Sequence, residues 1–376
     1  MKFLLINYEY PPIGGGAATA TQAIARNLVS LGYKVTVLTA GYRGLPGAQT
    51  EEGVLVRRVK CFRKHADRCT LFEMASFVLS ALVSLRSIVA ADQPAAGIAF
   101  FSIPCGPIAL AARILFGLPY VISLRGGDVP GLTPEVHQMH RFLRPIRRIV
   151  LKSANAIVAN ADSLRKLAEK NDPFQVLVIH NGVDTEFFSP MPNSEVAGAQ
   201  PFRIVFTGRF QAQKNVSLLL DQCAALRVQS DKPFELHLVG DGPLRAELER
   251  QVICLGLSDR VIWHGWTPRE QLREIYRKSD CFVNPSFYEG MPNAILEAMA
   301  CGKPIIASCV GGNDAVVQHG CTGFLFPLDK PAALLQFLRT LMEDRVGAQR
   351  MGQKGREWAK KAFSWNTAAA AYAGLF

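Results

Sequence analysis

The chain is short of the residue patterns that mark several large protein classes. Nine cysteines are scattered through 376 residues, and no two of them stand as Cys-x-x-Cys. An odd and unspaced set supports neither a disulfide framework nor a zinc site, so a reducing cytosol is the expected setting. His137 and His140 miss the i, i+4 spacing of a helical zinc pair, and no metal or other cofactor is expected. RNP motifs and zinc-finger spacings are missing too, which argues against nucleic acid as a partner. The opening MKFLLIN is apolar for too few residues to serve as a signal peptide and reads as a first strand. Long uncharged apolar runs are lacking: Leu71 to Ala90 contains Glu73 and Arg86, and Gly97 to Leu118 is cut by Pro104, Gly106, Pro107 and Arg113. Acidic residues are outnumbered, 31 against 42 Lys+Arg, and the formal charge of +11 predicts a surface that attracts anions.

What is present is an α/β chain long enough for two cores. Short apolar, β-branched runs alternate with helix-length segments. The strands FLLIN (3–7), KVTVLTA (34–40), GIAFF (97–101), YVISL (120–124), AIVAN (156–160) and VLVIH (176–180) predict a first parallel sheet. The stretch 189–201, rich in Pro, Gly and small polar residues, reads as a linker. A second series follows: FRIVFTG (202–208), a helix over 214–229, FELHLVG (234–240), RVIWHG (260–265), CFVNPS (281–286), a helix over 292–301 and PIIAS (304–308). The expectation is two doubly wound, Rossmann-like sheets over 1–188 and 189–357, facing across a cleft. In such sheets ligands sit at the carboxyl ends of strands, against helix starts.

The candidate chemistry falls on those loops. Pro11-Pro12-Ile13-Gly14-Gly15-Gly16 follows the first strand and enters a helix, so bare backbone at Gly15 and Gly16 can approach a phosphate. A tight turn with no ligand remains the alternative. A dinucleotide site fits poorly, because Thr19 replaces the third glycine and no acidic residue ends the second strand. Glu289 and Glu297 are separated by seven residues, the first on a loop and the second one turn into the next helix. One carboxylate can face sugar hydroxyls while the other accepts a ribose, and N–H groups from Gly290 through Asn293 can meet a diphosphate. The plain alternative is a capped helix with a surface Glu297.

The segment PSFYEGMPNAILEAMACGKPIIAS resembles the signature of the retaining family 4 glycosyltransferases, also called glycosyl transferases group 1, which have the GT-B fold. PPIGGGA, RGGD, NGVD, GRFQAQKN, VGDGPLRAELE, VIWHGW and VGGNDAVVQHGCTGFLF extend the resemblance over almost the whole chain. The resemblance implies a hexosyl transferase that takes a nucleotide diphosphate sugar to a glycan or lipid-linked acceptor in bacterial surface polysaccharide or glycolipid synthesis. It implies that a last helix, from about 358 to 376, crosses back to the first domain. By the same resemblance the second domain holds the donor: Arg209 and Lys214 on its diphosphate, Glu297 on the ribose, and Glu289 with Gly290, Met291, Pro292 and Asn293 on the sugar and phosphates. Gly240 and Gly265 lie in matched motifs, and Gly15 and Gly16 would close over the phosphates. Glu289, Arg125, Lys214 and Arg209 are the catalytic candidates; Arg125 and Asp128 stand on the acceptor side.

Two positions depart from the family. Arg125 replaces a frequent His, which puts any His-based role in doubt. It either stabilises charge on the departing diphosphate or pairs with Asp128. Ala315 stands where a Glu is frequent, beside Asp314. No Asp-x-Asp occurs, so cations and helix ends are expected to neutralise the diphosphate without a metal. His180, His264 and His319 read as structural or surface residues. Two basic clusters, Arg57 to Arg68 and Arg141 to Lys152, adjoin apolar segments. They suit either an anionic membrane surface, with the protein peripheral on its cytoplasmic face, or an ordinary solvated face over a core helix. A nucleotide-sugar epimerase and a non-catalytic binding protein are the rival functions.

Overall fold

The computed structural model describes all residues except 67, 134–136 and 192–200. Two compact units form, one from Met1–Gly182 with Trp365–Phe376, the other from Val183–Ser364. In the first unit the order is β1 (Lys2–Ile6), α1 (Gly16–Ser30), β2 (Lys34–Ala40), β3 (Ala48–Glu51), β4 (Val54–Val59), α2 (Leu71–Asp92) and β5 (Ala96–Phe100). There follow α3 (Gly106–Phe116), β6 (Tyr120–Leu124), α4 (His137–Ser153), β7 (Ala156–Ala159), α5 (Asp162–Asn171) and β8 (Leu177–Val178). The sheet runs β3-β4-β2-β1-β5-β6-β7-β8, parallel except for the β3–β4 hairpin. Its central strands are buried on both faces, with every residue of β5 and β6 enclosed. Continuous apolar runs flanked by helices require this, since a parallel sheet must be covered on both sides.

The second unit contains β9 (Phe202–Thr207), α6 (Val216–Gln229), β10 (Phe234–Val239), α7 (Arg245–Cys254), β11 (Val261–Gly265), α8 (Arg269–Lys278) and β12 (Cys281–Asn284). It continues with α9 (Asn293–Ala300), β13 (Ile305–Ser308), β14 (Gly323–Phe326), α10 (Ala332–Glu343) and α11 (Arg345–Ala362). All its strands pair in parallel, in the order β11-β10-β9-β12-β13-β14. Both sheets are doubly wound α/β sheets, as expected.

The division of the chain differs from the sequence expectation at both ends. Val183 and Phe188 are buried with Tyr276, Phe282 and Phe363, and the Val183 N–H donates to the Phe363 carbonyl at 3.0 Å. Packing therefore assigns 183–188 to the second unit, although the compositional break lies after 188. The segment from about 358 likewise stays there, because α11 buries Ala359 and Phe363 in the same cluster. Only α12 (Trp365–Ala373) returns, packing on α1, and the Tyr372 hydroxyl meets Ser123 Oγ at 2.6 Å.

α2 is long and apolar enough to cross a membrane by length and composition alone. Phe77, Ala81, Leu85 and Ile88 form its buried stripe at helical spacing, and it packs against β2, β4 and α3. It is a covering helix of the sheet, started by a capping box between Thr70 and Glu73.

Candidate functional site

The sequence-predicted donor residues of the second unit gather at the carboxyl ends of β9, β10, β11 and β12. Between β9 and α6 the chain makes a short 3-10 turn, Ala212–Lys214, and Asn215 takes a left-handed conformation. Lys214 thus stands on a turn, two residues before the helix that the sequence places it in. From there its Nζ reaches Glu289 Oε1 at 2.5 Å. The turn is tied to the β12–α9 loop: Phe287 N donates to the Gln213 carbonyl, and Gln213 Nε2 donates to the Tyr288 carbonyl, both at 2.8 Å. Arg209 occupies the same β9–α6 connection, half-buried.

Glu289 is buried, and its oxygen Oε1 also accepts from Ser286 Oγ at 2.8 Å and Asn284 Nδ2 at 3.3 Å. A carboxylate removed from water needs such partners to remain charged. Asn313, fully buried, donates to the Ser308 carbonyl at 3.0 Å, and its Oδ1 accepts from Asn284 at 3.4 Å. This side-chain lattice fixes the loop that carries Glu289, and it rests on residues the sequence argument passed over: Asn284, Ser286, Ser308 and Asn313. Their polarity inside apolar strand-end segments is the signal that could have found them. Asp314, next to the departure at Ala315, is exposed and takes no part.

Gly312 closes the lattice from the other side. Its φ is +95°, and a Cβ there would lie 2.4 Å from the Gly290 carbonyl oxygen. The backbone of the Glu289–Gly290 loop can approach only glycine at that distance. Gly240, at φ +124°, plays the same part nearby: a Cβ would meet the Gly208 carbonyl, and its N–H donates to Gly265 O at 2.8 Å. The two glycines predicted at the donor site, Gly240 and Gly265, therefore bridge β10 to β11.

α9 begins at Asn293, with Pro292 in extended conformation as its N-cap residue. Met291 is buried among Val205, Ile295 and Phe282, so only its backbone can serve a ligand. Glu297 lies one turn into α9, partly exposed, and its Oε2 accepts from Tyr276 Oη at 3.2 Å. Burial pushes its pKa up from 4.5 to about 7, against the opposing pull of Arg269 and the Tyr276 hydroxyl. Near neutral pH this carboxyl is poised between its two charge states.

In the first unit the glycine loop leads into α1, with Gly15 as N-cap residue and Gly16 as the first helical position. The Gly15 N–H donates to Glu9 Oε2 at 3.4 Å, so a side-chain carboxylate already stands at this positive helix end. Arg58 and Arg63, placed by the sequence on a basic face, are buried instead. Arg58 Nη2 donates to the Pro11 carbonyl at 2.7 Å and Arg63 Nη1 to the Tyr8 carbonyl at 3.0 Å, fastening the loop from behind. Arg147 is a second correction to that face: buried, it pairs with Asp172 at 2.6 Å and donates to Ser102 Oγ at 3.1 Å.

Arg125 and Asp128 do not pair through their side chains. Asp128 is buried, and its carboxylate accepts from three backbone amides: Arg125 N at 2.9 Å, Gly126 N at 3.2 Å and Ser102 N at 2.6 Å. It organises the Arg-Gly-Gly-Asp turn from within, its carboxylate engaged with backbone amides. Arg125 stacks over Phe100, with Cζ 4.8 Å from the ring centroid, and Nη1 donates to Asn181 Oδ1 at 2.7 Å. Nε and Nη2 have no protein partner among the described residues. Burial lowers the pKa of this guanidinium, and no carboxylate hydrogen-bonds it. A half-buried cation with two donors unspent is built to receive an anion.

His180, His237, His264 and His319 make structural contacts. His264 stacks on His237 with Nε2 2.9 Å from its Nδ1, His180 Nδ1 meets the Asn160 carbonyl, and His319 Nδ1 accepts from Leu325 N.

Known proteins are similar to this chain in sequence and fold. The family described as "Glycosyl transferases group 1" matches residues 201–344, and "Glycosyl transferase 4-like domain" matches 15–182. The alpha-maltose-1-phosphate synthase of Mycobacterium tuberculosis is 31% identical over 278 residues, covering 68% of this chain and 71% of that protein. An Escherichia coli UDP-Gal:alpha-D-GlcNAc-diphosphoundecaprenol alpha-1,3-galactosyltransferase is 35% identical over 184 residues, 46% of this chain and 47% of its own length. Sucrose-phosphate synthase from Thermosynechococcus elongatus superposes with a TM-score of 0.87 at 22% identity, over 100% of this chain and 98% of that one. The chain belongs to the group 1, family 4 glycosyltransferases and has their GT-B fold.

Proposed function

We propose that this glycosyltransferase is retaining and metal-independent, and that it moves a hexosyl residue from a nucleoside diphosphate sugar to a glycan or lipid-linked acceptor. The setting we propose is bacterial surface polysaccharide or glycolipid synthesis at the cytoplasmic face of a membrane. The observation that carries the reading is the Lys214–Glu289 pair, held on two strand-end loops by Gln213, Ser286 and Asn284, one helix start away from Glu297. The Escherichia coli relative, named for a UDP-galactose donor and a diphosphoundecaprenol-linked acceptor, supports the substrate classes.

In this reading Glu297 accepts the ribose hydroxyls, displacing the Tyr276 hydroxyl or sharing with it. Lys214, Arg209 and the N–H groups at the start of α9 receive the diphosphate. Glu289 orients the sugar, its Oε1 held in place by Lys214, Ser286 and Asn284. The C1–O bond to the phosphate breaks while the acceptor oxygen bonds C1 from the same face. The acceptor proton passes to the departing phosphate oxygen, so no separate base is required. Arg125 offers Nε and Nη2 to an anionic group of a substrate.

A panel of UDP-, GDP- and ADP-sugars tested for thermal stabilisation identifies the donor. A ligand at a hundred times its Kd adds about 2.7 kcal/mol to the folded state. With the donor known, Lys214→Met is expected to lower turnover by about 10² to 10³. No stabilisation by any donor, or an epimerised donor released without acceptor, would overturn the proposal.

A further inference from the structure

Right-handed crossovers put α2, α3 and α4 on one side of the first sheet, and each packs on the next. Their outward surface is apolar where solvent exposure should favour charge. α4 shows three stripes. Arg147, Val150 and Leu151 are buried towards the sheet, Arg141, Arg144, Arg148 and Lys152 line one outer flank, and Phe142, Ile146 and Ile149 line the other. Phe142 is 84% exposed; Ile114 of α3, which packs on α4, is 72% exposed, and Val83 of α2, which packs on α3, is 85% exposed. A monomer surface seldom gathers so many exposed large apolar groups without a use.

The charges borne by α3 and α4 are of one sign, although Arg148 already reaches the buried Asp172 at 3.4 Å. α3 and α4 contain no Asp or Glu at all. Of the two acids of α2, Glu73 is buried in its capping box and Asp92 pairs with Arg57 at 2.7 Å. A protein partner or a second copy of this chain would have to answer a row of cations with acids that the face itself lacks. A bilayer with anionic headgroups answers both features at once, taking the apolar stripe below its headgroups and the Arg and Lys flank at their level.

We infer that the outer faces of α2, α3 and α4 dock this protein on an anionic lipid bilayer, with α4 lying along the interface. The inference draws its purpose from the lipid-linked acceptor proposed above, while its evidence is the exposed residues themselves. The docking helix also supports the turn that presents Arg125. His140 Nε2 lies 3.1 Å from the Gly127 carbonyl, and Arg147 bonds Ser102, whose N–H holds Asp128. A docked α4 therefore sets that turn at a fixed place relative to the membrane.

The test is co-sedimentation of the full chain with vesicles of phosphatidylcholine alone and of phosphatidylcholine mixed with phosphatidylglycerol, at low and high salt. Binding is expected to require phosphatidylglycerol and to weaken as salt rises. Each cation facing an anionic leaflet is worth a factor of about five in partitioning, so the triple variant Arg141→Gln, Arg144→Gln, Lys152→Gln should lose about a hundredfold. The double variant Phe142→Asp, Ile146→Asp should lose at least about tenfold. All five side chains are exposed, and the triple variant alone keeps the test decisive if the double variant folds poorly. No binding at low salt overturns the inference, as does equal binding by the variants. A lipid-free dimer abolished by the same substitutions overturns it too, assigning the face to a second copy. Thermal stabilisation by the nucleotide sugar, read on the same samples, reports the donor residues separately. Its loss would strike the proposed function and leave the docking surface standing.

Discussion

Glu297→Gln tests the donor site through its electrostatics. The carboxyl is raised from 4.5 to about 7 chiefly by burial. A folded-state pKa above the unfolded value means that the native protein binds the extra proton, so stability falls as pH rises from 4.5 through about 7. Above that range the ionised carboxylate costs the folded protein about 3 kcal/mol, a cost absent below pH 4.5. Glutamine keeps an oxygen for the Tyr276 hydroxyl and carries no charge. At pH 8 the variant is therefore expected to be more stable than the parent by up to about 3 kcal/mol, and at pH 5 to match it, as read from denaturant midpoints.

Donor binding should move the opposite way. Only about a tenth of Glu297 is ionised at pH 6, against about nine-tenths at pH 8. A ribose whose hydroxyls donate to the carboxylate should then bind about tenfold more tightly at pH 8, releasing about half a proton per donor bound at pH 7. Calorimetry in buffers of different ionisation enthalpy counts that proton. The variant should bind weakly at both pH values and release none. A parent Kd that stays flat between pH 6 and pH 8, or a variant less stable at pH 8, would refute the reasoning.

Two further substitutions test the supports of each unit. Gly312→Ala forces a side chain to within 2.4 Å of the Gly290 carbonyl at a positive φ; a destabilisation of about 1 to 3 kcal/mol is expected. It should raise the donor Kd as well, measured by titration, because the Glu289 loop must move. Asp172→Ala strands the buried Arg147 guanidinium without its carboxylate. A loss of about 3 to 5 kcal/mol in the first unit is expected by denaturant unfolding, with nucleotide binding by the second unit preserved.

Much of the fold was legible because a parallel sheet buried on both sides needs continuous apolar strands, and those runs stand out in a linear reading. β5 and β6 fall where GIAFF and YVISL put them, to within a residue. The β3–β4 hairpin was not legible: β4 is VLVRRV, and its two arginines read as a charged surface segment. Arg57 is paired with Asp92, and Arg58 spends Nη2 on a carbonyl of the glycine loop; both partners are distant in sequence. The same reason explains Arg63 and Arg147. A cation's burial depends on what faces it, and composition cannot supply that.

The sequence by itself determined the two α/β series, the placing of nearly every candidate residue on a strand-end loop, and the family. These follow from local periodicity and from motifs short enough to be read in order. Only the tertiary structure decided that Asp128 grips backbone amides, that Arg125 keeps donors unspent over Phe100, and that Lys214 meets Glu289 from a turn. It also decided that residues 183–188 pack with the second unit and that α4 turns its apolar stripe outward. Each of these depends on which distant groups exclude water from a side chain, and desolvation is a property of the packed chain.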